Sequence, residues 1–149
     1  MIGPARRPCR CSSRWAFVTE LDLVPDGVEP VEAVLRRWIG RGVDLVVTTG
    51  GTGFGPRDLT PEATELVIDR RAPGLAEAMR AATFGVNPFG MLSRATAGIA
   101  GSTVVVNLPG SVAGVEESLA AIAPALTHAI ELLSSQASGH APHPTKPPE

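Results

Sequence analysis

Thr48-Thr49-Gly50-Gly51-Thr52-Gly53-Phe54-Gly55-Pro56-Arg57-Asp58-Leu59-Thr60-Pro61-Glu62-Ala63 is the stretch on which the fold turns. Val43-Asp44-Leu45-Val46-Val47 precedes it, an apolar run rich in β-branched residues that predicts a buried strand. Gly50, Gly51 and Gly53 let the backbone turn sharply and approach a ligand without intervening side chains. Thr60-Pro61-Glu62 restarts regular structure, with Thr60 as predicted N-cap, Pro61 at the first helical position and an acid in the first turn. Strand, glycine loop and helix in this order make an anion-binding corner, because backbone N–H groups and the helix dipole favour phosphate. Arg57 and Asp58 ride on that loop. No Gly-Lys-Ser/Thr closes it, so it is not a P-loop, and its glycine spacing is not the dinucleotide fingerprint. Taken alone, the glycines fit a tight strand-to-helix turn as well as they fit a ligand.

Upstream, Val18 to Val24 alternates apolar and polar residues at positions 19–23 and predicts a strand near a sheet edge, ended by Pro25-Asp26-Gly27. Asp26 with Glu29 reads as a capping-box-like start, and Val31, Val34, Leu35 and Trp38 then form one face of an amphipathic helix. A helix returning between two strands is the βαβ unit, with parallel pairing and a right-handed crossover.

Downstream, Glu62 to Arg70 is predicted helical with Ala63, Leu66 and Val67 inward, and Pro73 to about Ala82 forms another helix around Leu75 and Met79. Residues 85–88 read as a loop and Met91 to Ser93 as a short strand. Gly101-Ser102 turns the chain into a second buried strand, Thr103 to Asn107. Leu108-Pro109-Gly110-Ser111 then turns sharply, with Ser111 as the cap of a helix whose apolar positions 115, 119, 122, 126, 130 and 133 recur at helical spacing. Pro124 is expected to kink or divide it. Residues 134–149, rich in Ser, Pro and His, read as a disordered tail. The expectation is an α/β fold, three layers α/β/α with a mostly parallel sheet. Ligands bind such sheets beyond the C-terminal strand ends, where both glycine-containing turns would open, and two anion-ready corners suit a substrate with more than one phosphate.

The 149-residue length fits one domain with a real core, and 44% hydrophobic with 19% charged residues is ordinary globular composition. A net charge of −2 argues against a nucleic-acid binder working by bulk electrostatics. No apolar run approaches a membrane span and no secretory signal opens the chain, so neither nucleic acid nor membrane is expected as partner and the location reads as cytoplasmic. Cys9 and Cys11 read as incidental reduced thiols. His128 reads as a surface or packing residue, and His140 and His143 belong to the tail.

The sixteen-residue stretch resembles the molybdopterin-binding family that includes MogA, MoaB and the G domains of gephyrin-type proteins, whose hallmark is Thr-Gly-Gly-Thr-Gly running into Arg-Asp-x-Thr-Pro-Glu-Ala. Pro73-Gly74-Leu75, Met91-Leu92-Ser93-Arg94 with Ala97-Gly98-Ile99, and Val106-Asn107-Leu108-Pro109-Gly110-Ser111 agree with it in order, and the likeness runs over 18–133. The resemblance implies molybdenum cofactor biosynthesis: adenylylation of molybdopterin by MgATP with release of pyrophosphate, or molybdopterin binding without catalysis. It implies Mg²⁺ as cofactor and a homotrimer or larger homo-oligomer. A GTPase- or kinase-like phosphotransferase is disfavoured because no P-loop lysine is present.

By the same resemblance Asp26 and Asp58 are the acids linked to activity. Read from the residues, Asp58 is a carboxylate for metal or phosphate, or a dipole-stabilising acid, and Asp26 is that or a helix cap. Thr49, Gly50, Gly51, Thr52 and Gly53, with Pro109, Gly110 and Ser111, would bind substrate. Ser93 is placed by resemblance at the pterin. Arg94 supplies charge to phosphate or pairs with a surface acid, and Asn107 reads a ligand edge or makes a structural hydrogen bond.

Residues 1–17 show neither helical nor strand periodicity, with four arginines, two prolines and two cysteines. The family's first strand, central in its sheet, is therefore expected to be missing. Residues around 5–16 read as a frameshifted or mis-annotated remnant of the family's first helix.

Overall fold

The computed structural model describes residues 2–6, 18–84 and 87–137. In chain order they form β1 (Ile2–Arg6), β2 (Val18–Thr19), α1 (Val28–Gly40), β3 (Leu45–Thr49), α2 (Thr60–Glu65), β4 (Arg70–Arg71), α3 (Pro73–Thr83), a 3-10 helix (Pro88–Leu92), β5 (Ala97–Ala100), β6 (Thr103–Leu108) and α4 (Val112–Ala137). The strands make one sheet in the order β2-β1-β3-β6-β5-β4.

β3 and β6 form its centre and pair in parallel, Leu45 opposite Val104 through Thr49 opposite Leu108. Their side chains alternate between the faces. Leu45, Val104, Val106 and Leu108 pack with Ala76 and Met79 of α3 and Ile122, Leu126, Ile130 and Leu133 of α4. Val46 and Val105 point the other way, into a cluster with Val31, Leu35 and Trp38 of α1 and Ala63 of α2. The expected three α/β/α layers are present.

The sheet is mixed rather than mostly parallel. β1 runs antiparallel to β2 and β3, and β5 runs antiparallel to β4 and β6. Residues 1–17 show no strand periodicity, yet Ile2–Arg6 lies as a strand against β3. An unpaired β3 edge would leave backbone donors and acceptors without partners, and a five-residue segment satisfies them without any side-chain period to announce it. The thiols Cys9 and Cys11 and the remnant reading beyond Arg6 lie outside the described residues.

Other expectations are corrected locally. The edge strand reaches only Val18–Thr19. Asp26 caps nothing: α1 starts after Gly27, which has no side-chain cap bond. Thr60 is the first residue of α2 and Leu59 its cap position, again without a side-chain cap bond. That helix stops at Glu65, so Leu66 is exposed while Ala63 and Val67 are buried. Met91–Ser93 is no strand. Asn87 accepts the Phe89 N–H at 3.0 Å, and with Pro88 starts the 3-10 turn instead. β5 went unread because Ala-Gly-Ile-Ala carries little strand propensity. It forms through the hairpin at Gly101, whose φ is +58°.

α4 is continuous through Pro124, which sits on an exposed face where water can satisfy the carbonyl it leaves unbonded. Its first 24 residues are long and apolar enough to cross a membrane by length and composition alone, contrary to the reading of the sequence. One stripe of it, Ile122, Leu126, Ile130 and Leu133, is core. Residues 134–137 continue this helix; 138–149, with His140 and His143, lie outside the described residues.

Gly98 of β5 tests the packing. A Cβ there would stand 2.8 Å from the Arg70 carbonyl oxygen and 2.6 Å from Ile68 Cδ1. Gly98→Ala is expected to destabilise by about 1–3 kcal/mol, as overpacking against backbone does. Gly40→Ala, with nothing within 4 Å of its Cβ, should be neutral or slightly stabilising. Urea melts of both variants check this.

Candidate functional site

Parallel pairing carries β3 and β6 out of the sheet at one edge, and their following turns meet there. Gly50 and Gly51 have φ of +94° and +66°. A Cβ on Gly51 would lie 2.3 Å from Thr60 Oγ1, and one on Gly110 would lie 3.3 Å from Gly50 Cα. The turns are tied together: the Gly50 N–H donates to Leu108 O at 3.2 Å, and Thr49 Oγ1 donates to Pro109 O at 2.8 Å.

Two cavities flank this glycine wall. The larger, about 390 Å³, is bounded by Gly50–Gly53, Asp58, Ser93 and Pro109–Ser111. The smaller, about 70 Å³, holds Asp26, Arg57, Thr49 and Thr60 and shares Gly50 and Gly51 with the first.

Asp58 Oδ2 accepts the Gly55 N–H at 2.9 Å. The same oxygen would be 2.8 Å from a Cβ on Gly53 or Gly55, so a side chain at either position would push the carboxylate out of its place. Asp26 is largely exposed, 3.8 Å from Arg57 Nε. Ser93 Oγ accepts the Ala95 N–H at 3.3 Å, and the Ser111 hydroxyl accepts the Gly114 N–H at 3.2 Å as the cap read from the sequence.

Two candidates line neither cavity. Asn107 is fully buried. Its amide donates to Thr48 Oγ1 at 2.9 Å and Thr64 Oγ1 at 2.8 Å, and its oxygen accepts the Thr96 N–H at 3.3 Å. Of the two readings of Asn107, the structural bond is the one the geometry displays. Arg94 pairs with Glu62, and its guanidinium also donates to Gly53 O at 2.7 Å and to Asp58 O. Its own N–H donates to Thr52 O at 2.9 Å. The hydrogen bond from Arg94 holds the Glu62 carboxyl below the usual glutamate range, and the same bond raises Arg94.

Phe89, Thr83 and Glu117 also line the large cavity and were not singled out in the sequence. A signal for Glu117 existed: Ala113 and Glu117, four apart after the Ser111 cap, share the helix face that looks back at the turn. The signal for Phe89 is Asn87-Pro88, the pair that starts its 3-10 turn. Among the described residues, no group of three or more His, Cys, Asp or Glu could hold a metal ion.

Comparison with known proteins places this geometry. Residues 12–128 match the family model described as a probable molybdopterin binding domain. The chain is 40% identical over 125 residues to gephyrin of Dictyostelium discoideum, covering 84% of this chain and 17% of gephyrin. It is 46% identical over 90 residues to the molybdopterin adenylyltransferase of Helicobacter pylori, covering 60% of this chain and 51% of that enzyme. The chain thus spans from about a sixth to about half of these curated relatives. Among solved structures, MoaB of Thermus thermophilus superposes with a TM-score of 0.70 at 49% identity, over 74% of this chain and 70% of that one. A MogA structure does so with 0.70 at 44% identity, over 72% and 71%.

Two outcomes are expected from the polar interior. Asn107→Leu leaves two buried hydroxyls and an N–H without their partner and should cost about 3 kcal/mol in a denaturant melt. Glu62 has a lowered folded pKa, so its contribution is present above the unfolded value and is lost as pH falls through the folded one. The stability of the wild type over Glu62→Gln should therefore be visible at neutral pH and vanish at acid pH, measured by paired melts.

Proposed function

The chain belongs to the molybdopterin-binding domain family, and from that premise we propose that it acts in molybdenum cofactor biosynthesis as a molybdopterin adenylyltransferase. The observation that carries this reading is the pair of cavities divided by Gly50 and Gly51, with Asp58 and Glu117 on the large one and Asp26 on the small one. Two phosphate-bearing substrates meeting across a thin glycine wall need such an arrangement.

In the proposed reaction a phosphate oxygen of molybdopterin attacks the α-phosphorus of ATP. One P–O bond forms, the bond to pyrophosphate breaks, and pyrophosphate leaves. The backbone N–H groups of the two turns would hold anionic oxygens, with Gly50, Gly51, Gly53 and Gly110 allowing close approach. Thr52, Ser93 and Ser111 would contribute polar atoms on the molybdopterin side.

The donor set fits Mg²⁺ held by one or two carboxylates and substrate phosphates rather than by an all-protein cage, because Asp58 and Glu117 line one cavity, Asp26 the other, and no group of three such ligands occurs among the described residues. Asp26 and Asp58 would arrange ion and phosphates from the two sides of the glycine wall, and the ion, when bound, would neutralise developing charge on the phosphates. The Asp58 carboxylate, already fixed by the Gly55 N–H, would need little reorganisation to do so.

Assembly as a homotrimer or larger homo-oligomer belongs to the same proposal. Leu23, Phe54, Phe89 and Val112 are large apolar side chains exposed in the single chain, and such residues would suit a subunit contact.

A second reading, molybdopterin binding without transfer, is favoured by Asp26, which lies half open to solvent beside Arg57 and in a different cavity from Asp58. Pyrophosphate release from MgATP with molybdopterin separates the two. Release that falls about a hundredfold in Asp58→Asn supports the transferase. Tight molybdopterin binding with no release supports the second reading, and absence of binding sinks both.

A further inference from the structure

We propose that Arg94 is a positioning residue: with Glu62 it forms a clamp behind the large cavity that turns the Gly53 and Asp58 carbonyl oxygens away from an anionic ligand. This rests on the reading of that cavity as the molybdopterin side of the site.

The argument starts with the backbone. Ser93 is extended, with φ −74° and ψ 120°, so neighbouring side chains point to opposite sides. Ser93 lines the cavity and Arg94 does not. Behind the wall, Arg94 meets three acceptors at once: Gly53 O at 2.7 Å, Asp58 O, and the Glu62 carboxylate. Gly53 and Asp58 themselves line the cavity.

A carbonyl oxygen facing a phosphate repels it. Because a peptide unit is planar and trans, pulling the Gly53 oxygen toward Arg94 points the following N–H the other way. Both contacts take a carbonyl acceptor away from the ligand; the Leu59 N–H that follows Asp58 is itself taken by Arg57 O at 3.0 Å, so that contact removes an acceptor without offering a donor. They also fix the Asp58 main chain, and with the Gly55 N–H on Oδ2 the carboxylate is held from both ends.

Only a guanidinium supplies this many donors in one plane. Glu62 orients it from the first turn of α2, the helix that follows the loop, so the clamp ties loop and helix into one unit. A lysine at 94 keeps the charge but cannot span three acceptors.

The test uses the full chain with MgATP and molybdopterin, comparing wild type, Arg94→Lys, Glu62→Gln and the double variant. The expected result is a fall in kcat of about tenfold or more in each single variant, from misplacement of Asp58. KM for ATP and the molybdopterin affinity should move less than about threefold, and the double variant should be no worse than Arg94→Lys. Amide hydrogen exchange at Gly55, Asp58 and Leu59, followed without ligands, should accelerate in all three variants.

If Arg94 instead touched phosphate directly, Arg94→Lys would weaken ligand affinity with kcat preserved and Glu62→Gln would be silent; that pattern overturns the proposal. So does unchanged exchange at those amides. Should Arg94→Lys fail to fold by circular dichroism, Glu62→Gln carries the same comparison. Wild type that releases no pyrophosphate defeats the transferase reading alone, and the clamp is then decided by exchange at the loop amides.

Discussion

The parallel register that sets Thr48 opposite Asn107 and Thr49 opposite Leu108 delivers two chain turns to one edge of the sheet. Antiparallel neighbours would have sent one turn to each end. Everything at the candidate site follows from this: the Gly50–Leu108 and Thr49–Pro109 bonds, the near contact of Gly110 with Gly50, and the cavities on either side of the glycines. The register itself is secured from both faces by buried β-branched side chains, which cannot slip by one residue without exchanging core for solvent.

Two polar groups behind the cavities do the holding, each by a different route. Asn107 is buried and neutral, and its three hydrogen bonds satisfy it, so it joins β3, β6 and α2 without the desolvation cost of a charge. Arg94 is only partly buried, which lets it stay ionised beside Glu62 while it collects carbonyl oxygens from the loop. Asn107 anchors both ends of the segment from Thr48 to Thr64, and Arg94 holds its middle at Gly53, Asp58 and Glu62.

Much of this was legible along the chain wherever local chemistry decides the outcome. The strands around Val46 and Val105, the helix stripe from Val31 to Trp38, the Ser111 cap and the glycine corner all follow from periodicity and turn residues. The failures have a common form. Arg94 and Asn107 stand among residues that line the cavity, and nothing in the local pattern says which side of the wall a side chain takes. β1 pairs with β3 about 40 residues away, a demand written in another part of the chain, whereas β5 pairs with β6 through the hairpin at Gly101.

The sequence by itself determined the chemical inventory: two glycine turns, two acids and the order of strands and helices that brings them near one rim. Those depend on contacts within a few residues, where propensity and sterics act directly. Only the tertiary structure decided that the acids occupy separate cavities, that the sheet is mixed, and that Arg94 serves the loop from behind. The first and last of these depend on partners 30 or more residues away, Arg57 for Asp26 and Glu62 for Arg94, as the Asn107 bonds depend on Thr64. Bonds of that span are satisfied only after the chain has packed, so no local pattern encodes them.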